Sequence, residues 1–111
     1  MTDPAAAVAA RLAELWLRSL PTMHERLAAL RSGGERLRHD PGDLEARASA
    51  RDAAHKLSGV LGIFGLPRGT EIAAEMEALL KSPEPLTPQS VIRLSAQVSE
   101  LEAVIASKGQ G

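Results

Sequence analysis

The stretch Ala54-His55-Lys56-Leu57-Ser58-Gly59-Val60-Leu61-Gly62-Ile63-Phe64-Gly65 has the period of a helix. It nevertheless carries Gly59 and Gly62, each costing about 1 kcal/mol relative to alanine in a helix interior. Ala54, Leu57, Leu61 (with Val60 beside it) and Phe64 recur at helical spacing and make an inner face. His55, Ser58, Gly59 and Gly62 fall at i, i+3, i+4 and i+7 and form one row on the other side. The row predicts an outward imidazole with almost no side chain beside it, open to a large partner.

Working outward, the rest of the chain reads as helix as well. Asp3-Pro4 is a helix start, a carboxylate N-cap followed by proline at the first helical position. Val8, Leu12, Leu15 and Trp16 carry a first segment to about Ser19, and Pro21 is expected to interrupt it. A second segment runs from Pro21 and Thr22 to about Arg38, with Met23, Leu27, Leu30, Gly34 and Leu37 inward. Its phase does not shift across Gly33-Gly34, and close approach of another backbone accounts for Gly34. After the turn His39-Asp40-Pro41-Gly42, Asp43 caps the third segment, and Glu45 complements its dipole. The predicted inner face of this segment is Leu44, Ala50, Ala54, Leu57, Leu61 and Phe64, ending near Gly65.

Leu66-Pro67 starts a fourth segment, with Ile72, Ala73, Met76, Leu79 and Leu80 inward. Ser82-Pro83-Glu84-Pro85-Leu86 is a stiff linker. Thr87-Pro88 repeats the cap-then-proline start, and Val91, Leu94, Val98, Leu101 and Ile105 lead to about Ser107. Five helical segments with short turns suit an all-α, antiparallel four-helix bundle, with the first segment packing on or capping it. The chain is read as one domain over residues 1–111, with a core of about 4–107 and a fraying tail at 108–111. Trp16 is expected as a core or interface plug.

Composition narrows the function classes. The 111 residues are 44% hydrophobic and 24% charged, with one Phe, one Trp and no Tyr, as befits one helical domain. A net charge of −1 argues against a sequence-independent nucleic-acid binder, which needs a basic excess. No apolar run of membrane-spanning length and no signal-peptide pattern is present, so the cytoplasm is the expected compartment and no membrane partner is expected. Without cysteine there is neither a disulfide framework nor a thiolate zinc site. His24 and His39 lack partners at metal-ligand spacing and are read as surface residues, so no metal site is expected. The glycines do not have phosphate-loop spacing, so no ATP site is expected.

His55 stands apart. Ser58, Gly59 and Gly62 strip its helix face, while Arg51 and Arg47, at i−4 and i−8, make the row below it basic, and Lys56 is adjacent. A nucleophilic imidazole that takes a phosphoryl group needs both features: an open in-line approach, and cations near the transferred oxygens.

Ala54-His55-Lys56-Leu57-Ser58-Gly59, followed by Leu61-Gly62-Ile63-Phe64-Gly65-Leu66-Pro67-Arg68, resembles the phosphoacceptor helix of histidine-containing phosphotransfer (HPt) domains. The local likeness spans roughly residues 50 to 80, and the helical layout agrees over the whole chain. The resemblance implies a four-helix bundle in which His55 accepts a phosphoryl group from an aspartyl phosphate of a response-regulator receiver domain and passes it on. It implies no kinase activity. Receiver domains and a hybrid or sensor histidine kinase are the implied partners, Mg²⁺ belongs to the receiver, and no cofactor is held by this chain. Gly59 and Gly62 match the family's small positions, which let the receiver come close. One departure is local: the lysine often found three residues after the histidine is Ser58 here. Lys56 and Arg51 are then the candidate phosphoryl-supporting cations, Lys56 only by snorkelling its stem, with Ser58 itself a third candidate for support.

Two other readings share the fold. One is an adaptor that binds a receiver or kinase without being phosphorylated. The other is a helical scaffold in which Gly34, Gly59 and Gly62 serve close packing. A self-contained monomer is the expected form.

Overall fold

The computed structural model describes residues 3–108, and among them it contains four helices rather than five. They are α1 (Pro4–His39), α2 (Leu44–Leu61), α3 (Pro67–Lys81) and α4 (Pro88–Lys108). Each packs on its neighbours in the ring α1–α2–α3–α4, and the diagonal pairs make no close backbone approach. Short connections between successive helices make the ring antiparallel. The expected tail at residues 109–111 lies outside the described residues.

The two predicted N-terminal segments are one helix. Asp3 accepts a hydrogen bond from the Ala5 N–H at 3.1 Å, Pro4 occupies the first turn, and α1 then runs 36 residues through Pro21. The helix survives its proline because the lost bond lies on the wet side. Pro21 and Leu17, whose carbonyl would have received the missing N–H, are both exposed, so water can serve that carbonyl. On the dry side Trp16, Met23, Leu27, Leu30 and Leu37 form one uninterrupted buried stripe across the proline.

At 1.5 Å per residue α1 is about 54 Å long, against about 32 Å for α4. That difference gives the molecule its 59 × 20 × 20 Å extents. No separate helix caps the bundle. Instead the first turns of α1 project beyond it, and Val8 and Leu12, expected inside, are exposed.

Where the bundle ends, Trp16 is the predicted core plug. It is buried, meets Phe64 edge-on at 5.2 Å between centroids, and carries the Lys108 ammonium 5.5 Å from its ring centroid. Lys108, expected to fray, is therefore the seated last residue of α4.

Asp43 caps α2 as expected, accepting from the Ala46 N–H at 3.0 Å. Leu44 is exposed rather than inward, because the inner stripe of α2 starts two residues further on, at Ala46, and continues through Ala50, Ala53, Ala54, Leu57 and Leu61. The close approach assigned to Gly34 belongs to Gly33. A Cβ on Gly33 would lie 3.1 Å from the Ala50 Cβ and 3.2 Å from the Ala46 carbonyl oxygen, whereas one on Gly34 meets nothing within 4 Å. Glycine and alanine thus let α1 and α2 pack almost backbone to backbone.

The end of α2 fixes where α3 begins. Past Leu61 the chain tightens, with the Ile63 N–H bonded to the Val60 carbonyl and the Phe64 N–H to that of Leu61. Gly65 then takes φ +71°, which lets Leu66 N–H reach the Leu61 carbonyl and Gly65 N–H that of Gly62. This is the glycine-closed pattern of helix ends, and Pro67 starts α3 directly after it. Thr87 caps α4 as expected, accepting from the Ser90 N–H.

Two stability predictions follow from this packing. Gly34→Ala raises unfolding free energy by about 1 kcal/mol through helix propensity. Gly33→Val lowers it by about 1–3 kcal/mol by overpacking against Ala50. Urea melts of the two variants check the pair, and equal effects would refute the assignment of the close contact to Gly33.

The Asp43 carboxyl is held below the ordinary carboxylate range by the Ala46 backbone N–H and by Arg36. Its stabilisation is present above the unfolded-state pKa and is lost as pH falls through the lower folded value. Asp43→Asn is therefore expected to show a shallower loss of stability than wild type below about pH 4, measured by denaturation at stepped pH.

Candidate functional site

His55 lies in the fourth turn of α2, directly after the buried Ala53 and Ala54. Burial of Ala54 and Leu57 on either side of it turns the His55 side chain outward, 69% exposed. Its Nδ1 lies 2.8 Å from Oε2 of Glu77 on α3. A carboxylate oxygen accepts, so the ring nitrogen donates there. The neutral imidazole then carries its proton on Nδ1 and its lone pair on Nε2. A half-buried carboxylate thereby fixes both tautomer and ring orientation.

Beside this pair an open groove of about 400 Å³ runs between α2 and α3, lined by Ala48, Arg51, Asp52, His55, Glu77 and Lys81. Arg51 stands one turn before His55, and Lys81 one turn after Glu77. Neither cation is engaged in an ion pair among the described residues. The groove accordingly holds an oriented imidazole and two uncommitted positive charges.

The other predicted support residues are placed elsewhere. Lys56 is not gathered into the groove: its ammonium binds the Asp52 carboxylate at 2.9 Å and lines the neighbouring groove between α1 and α2 with Arg26. That hydrogen bond from Lys56, aided by Arg26 and His55, holds the Asp52 carboxyl below the ordinary range. Ser58 turns its hydroxyl back to donate to the His55 carbonyl at 3.0 Å. Arg47, part of the basic row in the sequence, points its guanidinium at the C-terminal end of α3 instead.

Gly59 and Gly62 are both exposed. A Cβ on Gly59 would meet nothing within 4 Å, and one on Gly62 only the Thr70 hydroxyl at 3.5 Å. The scaffold reading required these glycines to be packed against a helix, and that is overturned. What they leave is a bare surface one and two turns from the imidazole, bordered by the exposed Ile63.

Sequence reasoning missed Glu77 and Lys81. The signal lay in the turn. His55 and Glu77 each lie eleven residues from Leu66, and Arg51 and Lys81 each lie fifteen from it. Folding α2 back on α3 about Leu66 brings these pairs face to face.

No helix among the described residues is long and apolar enough to cross a membrane. The family model described as Hpt domain matches residues 11–104. The chain is 31% identical over 91 residues to Protein RcaC of Microchaete diplosiphon, a match covering 82% of this chain and 14% of that protein. The chain thus spans about one seventh of the length of that curated relative. No solved structure matches it. Hpt domains mediate phosphotransfer in two-component phosphorelays, where they interact with receiver domains and histidine kinases. A family match running through all four helices of the ring means that this chain belongs to the Hpt domain family.

Proposed function

We propose that this chain is a phosphotransfer carrier of a phosphorelay and that His55 is the residue phosphorylated. The observation that carries the reading is the Nδ1 contact to Glu77, which in the neutral ring makes Nε2 the bare nitrogen, on an exposed side chain. The Nε2 lone pair attacks the phosphorus of a receiver's aspartyl phosphate. The P–N bond forms, the P–O bond to the aspartate breaks, and the carboxylate leaves with its electron pair. No proton has to leave Nε2, and Nδ1–H stays on Glu77 as the ring gains positive character. Transfer to a second receiver is the same step reversed, and the receiver supplies the acidic pocket and Mg²⁺.

Arg51 and Lys81 are the groove cations that can offset charge on the phosphoryl oxygens, in place of the lysine that Ser58 replaces. Gly59, Gly62 and Ile63 form the landing surface, where a missing Cβ at Gly59 gives the receiver clearance. The same exposed, apolar-edged surface fits a protein partner better than a small molecule.

Incubation with a phosphorylated receiver domain tests the reading. Wild type should take up an acid-labile, base-stable phosphoryl group, and His55→Gln none. No uptake by wild type would leave the adaptor reading in its place. Glu77→Ala should slow uptake roughly 10- to 100-fold, the range seen where a carboxylate orients a metal-bound histidine.

Arg51→Ala and Lys81→Ala should each slow transfer roughly 3- to 30-fold, less than loss of a buried oxyanion donor because both side chains are exposed. Lys56→Ala should change it little. A larger effect from Lys56 than from either of the other two would reverse the assignment. Gly59→Ala should raise unfolding free energy by about 1 kcal/mol while weakening receiver binding; stronger or unchanged binding would show that the glycine is not there for clearance.

A further inference from the structure

The C-terminal end of α3 has a capping problem that its own backbone does not solve. Ser82 leaves the helix with ψ 138°, and its N–H is spent on the Ala78 carbonyl. The next residues are Pro83-Glu84-Pro85, in which the prolines have no N–H and the Glu84 N–H goes to the Ser82 hydroxyl. The carbonyls of the last turn are therefore left without backbone donors.

Arg47 of α2 supplies them. Its Nε donates to the Leu80 carbonyl at 2.8 Å, and one terminal nitrogen reaches the carbonyls of Glu84 at 2.9 Å, Leu79 at 3.5 Å and Ser82. The guanidinium is half-buried, its planar fork suits several acceptors at once, and its charge complements the negative end of the α3 dipole.

This clamp lies on the same helix row as the site. Arg47 is two turns before His55, and the turn it holds contains Lys81, one turn beyond Glu77. We propose that Arg47 is a positioning residue for the phosphotransfer site: it fixes α3 against α2 in the register that brings the Glu77 carboxylate to His55 Nδ1 and Lys81 to the groove. The transfer consequence rests on the function proposed above, whereas the positioning of the ring does not.

The test uses the full chain carrying Arg47→Gln or Arg47→Lys, with Ile105→Val as a control that trims the core on α4. Three quantities are read: melting temperature, the ¹⁵N shifts of the His55 ring at about pH 8, where a free imidazole is neutral, and transfer from a phosphorylated receiver. Wild type should show two well-separated ring nitrogens, one protonated and one bare. In Arg47→Gln the two shifts should converge toward tautomer averaging, and transfer should fall roughly tenfold. Arg47→Lys keeps one charge and fewer donors, stays folded, and should lie between. Ile105→Val should melt lower than wild type with ring shifts unmoved.

Unmoved His55 shifts in both Arg47 variants, or equal movement in Ile105→Val, would overturn the proposal. If wild type accepts no phosphoryl group, the phosphotransfer reading fails, and the ring shifts still decide whether Arg47 positions Glu77.

Discussion

The site depends on one register, that of α2 against α3. His55 and Glu77 come from different helices, yet Nδ1 and Oε2 lie 2.8 Å apart, a contact that a slip of one residue on either helix would abolish. The register is pinned at both ends. At one end Gly65 closes α2 in a left-handed turn and Pro67 opens α3 at once, leaving no slack in the connection. At the other the Arg47 guanidinium holds the last carbonyls of α3. Between them Leu57, Leu61, Ile72 and Met76 are buried side chains that fix the spacing. The exposed His55–Glu77 pair is therefore placed by contacts made elsewhere along the two helices.

Glycine serves two opposite ends on this scaffold. Gly33 is filled space: its missing Cβ is where Ala50 and the Ala46 carbonyl sit. Gly59 is empty space on the surface, where no contact compensates its poor helix propensity. Local propensity alone does not distinguish them, since both interrupt helices that tolerate them. The difference lies in what the neighbouring helix does, and only Gly33 faces one. A residue that weakens its helix without serving the packing is where stability has been given up for access.

Much of this was legible in the sequence. The 3.6 period located every stretch of helix, and the caps at Asp3, Asp43 and Thr87 stand where the residue types placed them. The row of His55, Gly59 and Gly62 gave the outward imidazole and its clearance. Pro21 misled because a proline's cost depends on whether its lost bond faces water or core, which the local sequence does not state. Val8 and Leu12 misled because periodicity marks a helix face but not how far the neighbouring helices reach along it. Leu44 misled by lying two residues before Ala46, on the opposite side of the helix from the stripe that Ala46 begins. Glu77 and Lys81 escaped because their role arises between helices, and required folding the chain about Leu66 to see it.

The cations show the same dependence on partners rather than on spacing. Arg47, Arg51 and Lys56 are near His55 in the sequence and look equivalent as a basic row. In the fold they part: Arg47 is committed to α3 carbonyls, Lys56 to Asp52, and Arg51 alone of the three lines the His55 groove, joined there by Lys81 from across it. Ser58 stands where the family often has lysine and bonds its own backbone. Positive charge has thus moved from the glycine side of the imidazole to the α3 side, one turn toward the clamp. That leaves the glycine side without bulk at Gly59, so under the proposed function a docking partner would meet a bare surface bordered by Ile63. The phosphoryl oxygens would be drawn toward the α2–α3 groove, where the register holds Glu77 and Lys81. On the proposed function, phosphoryl stabilisation in this Hpt domain would depend on helix packing, since one of the two groove cations lies on the helix end whose carbonyls Arg47 holds.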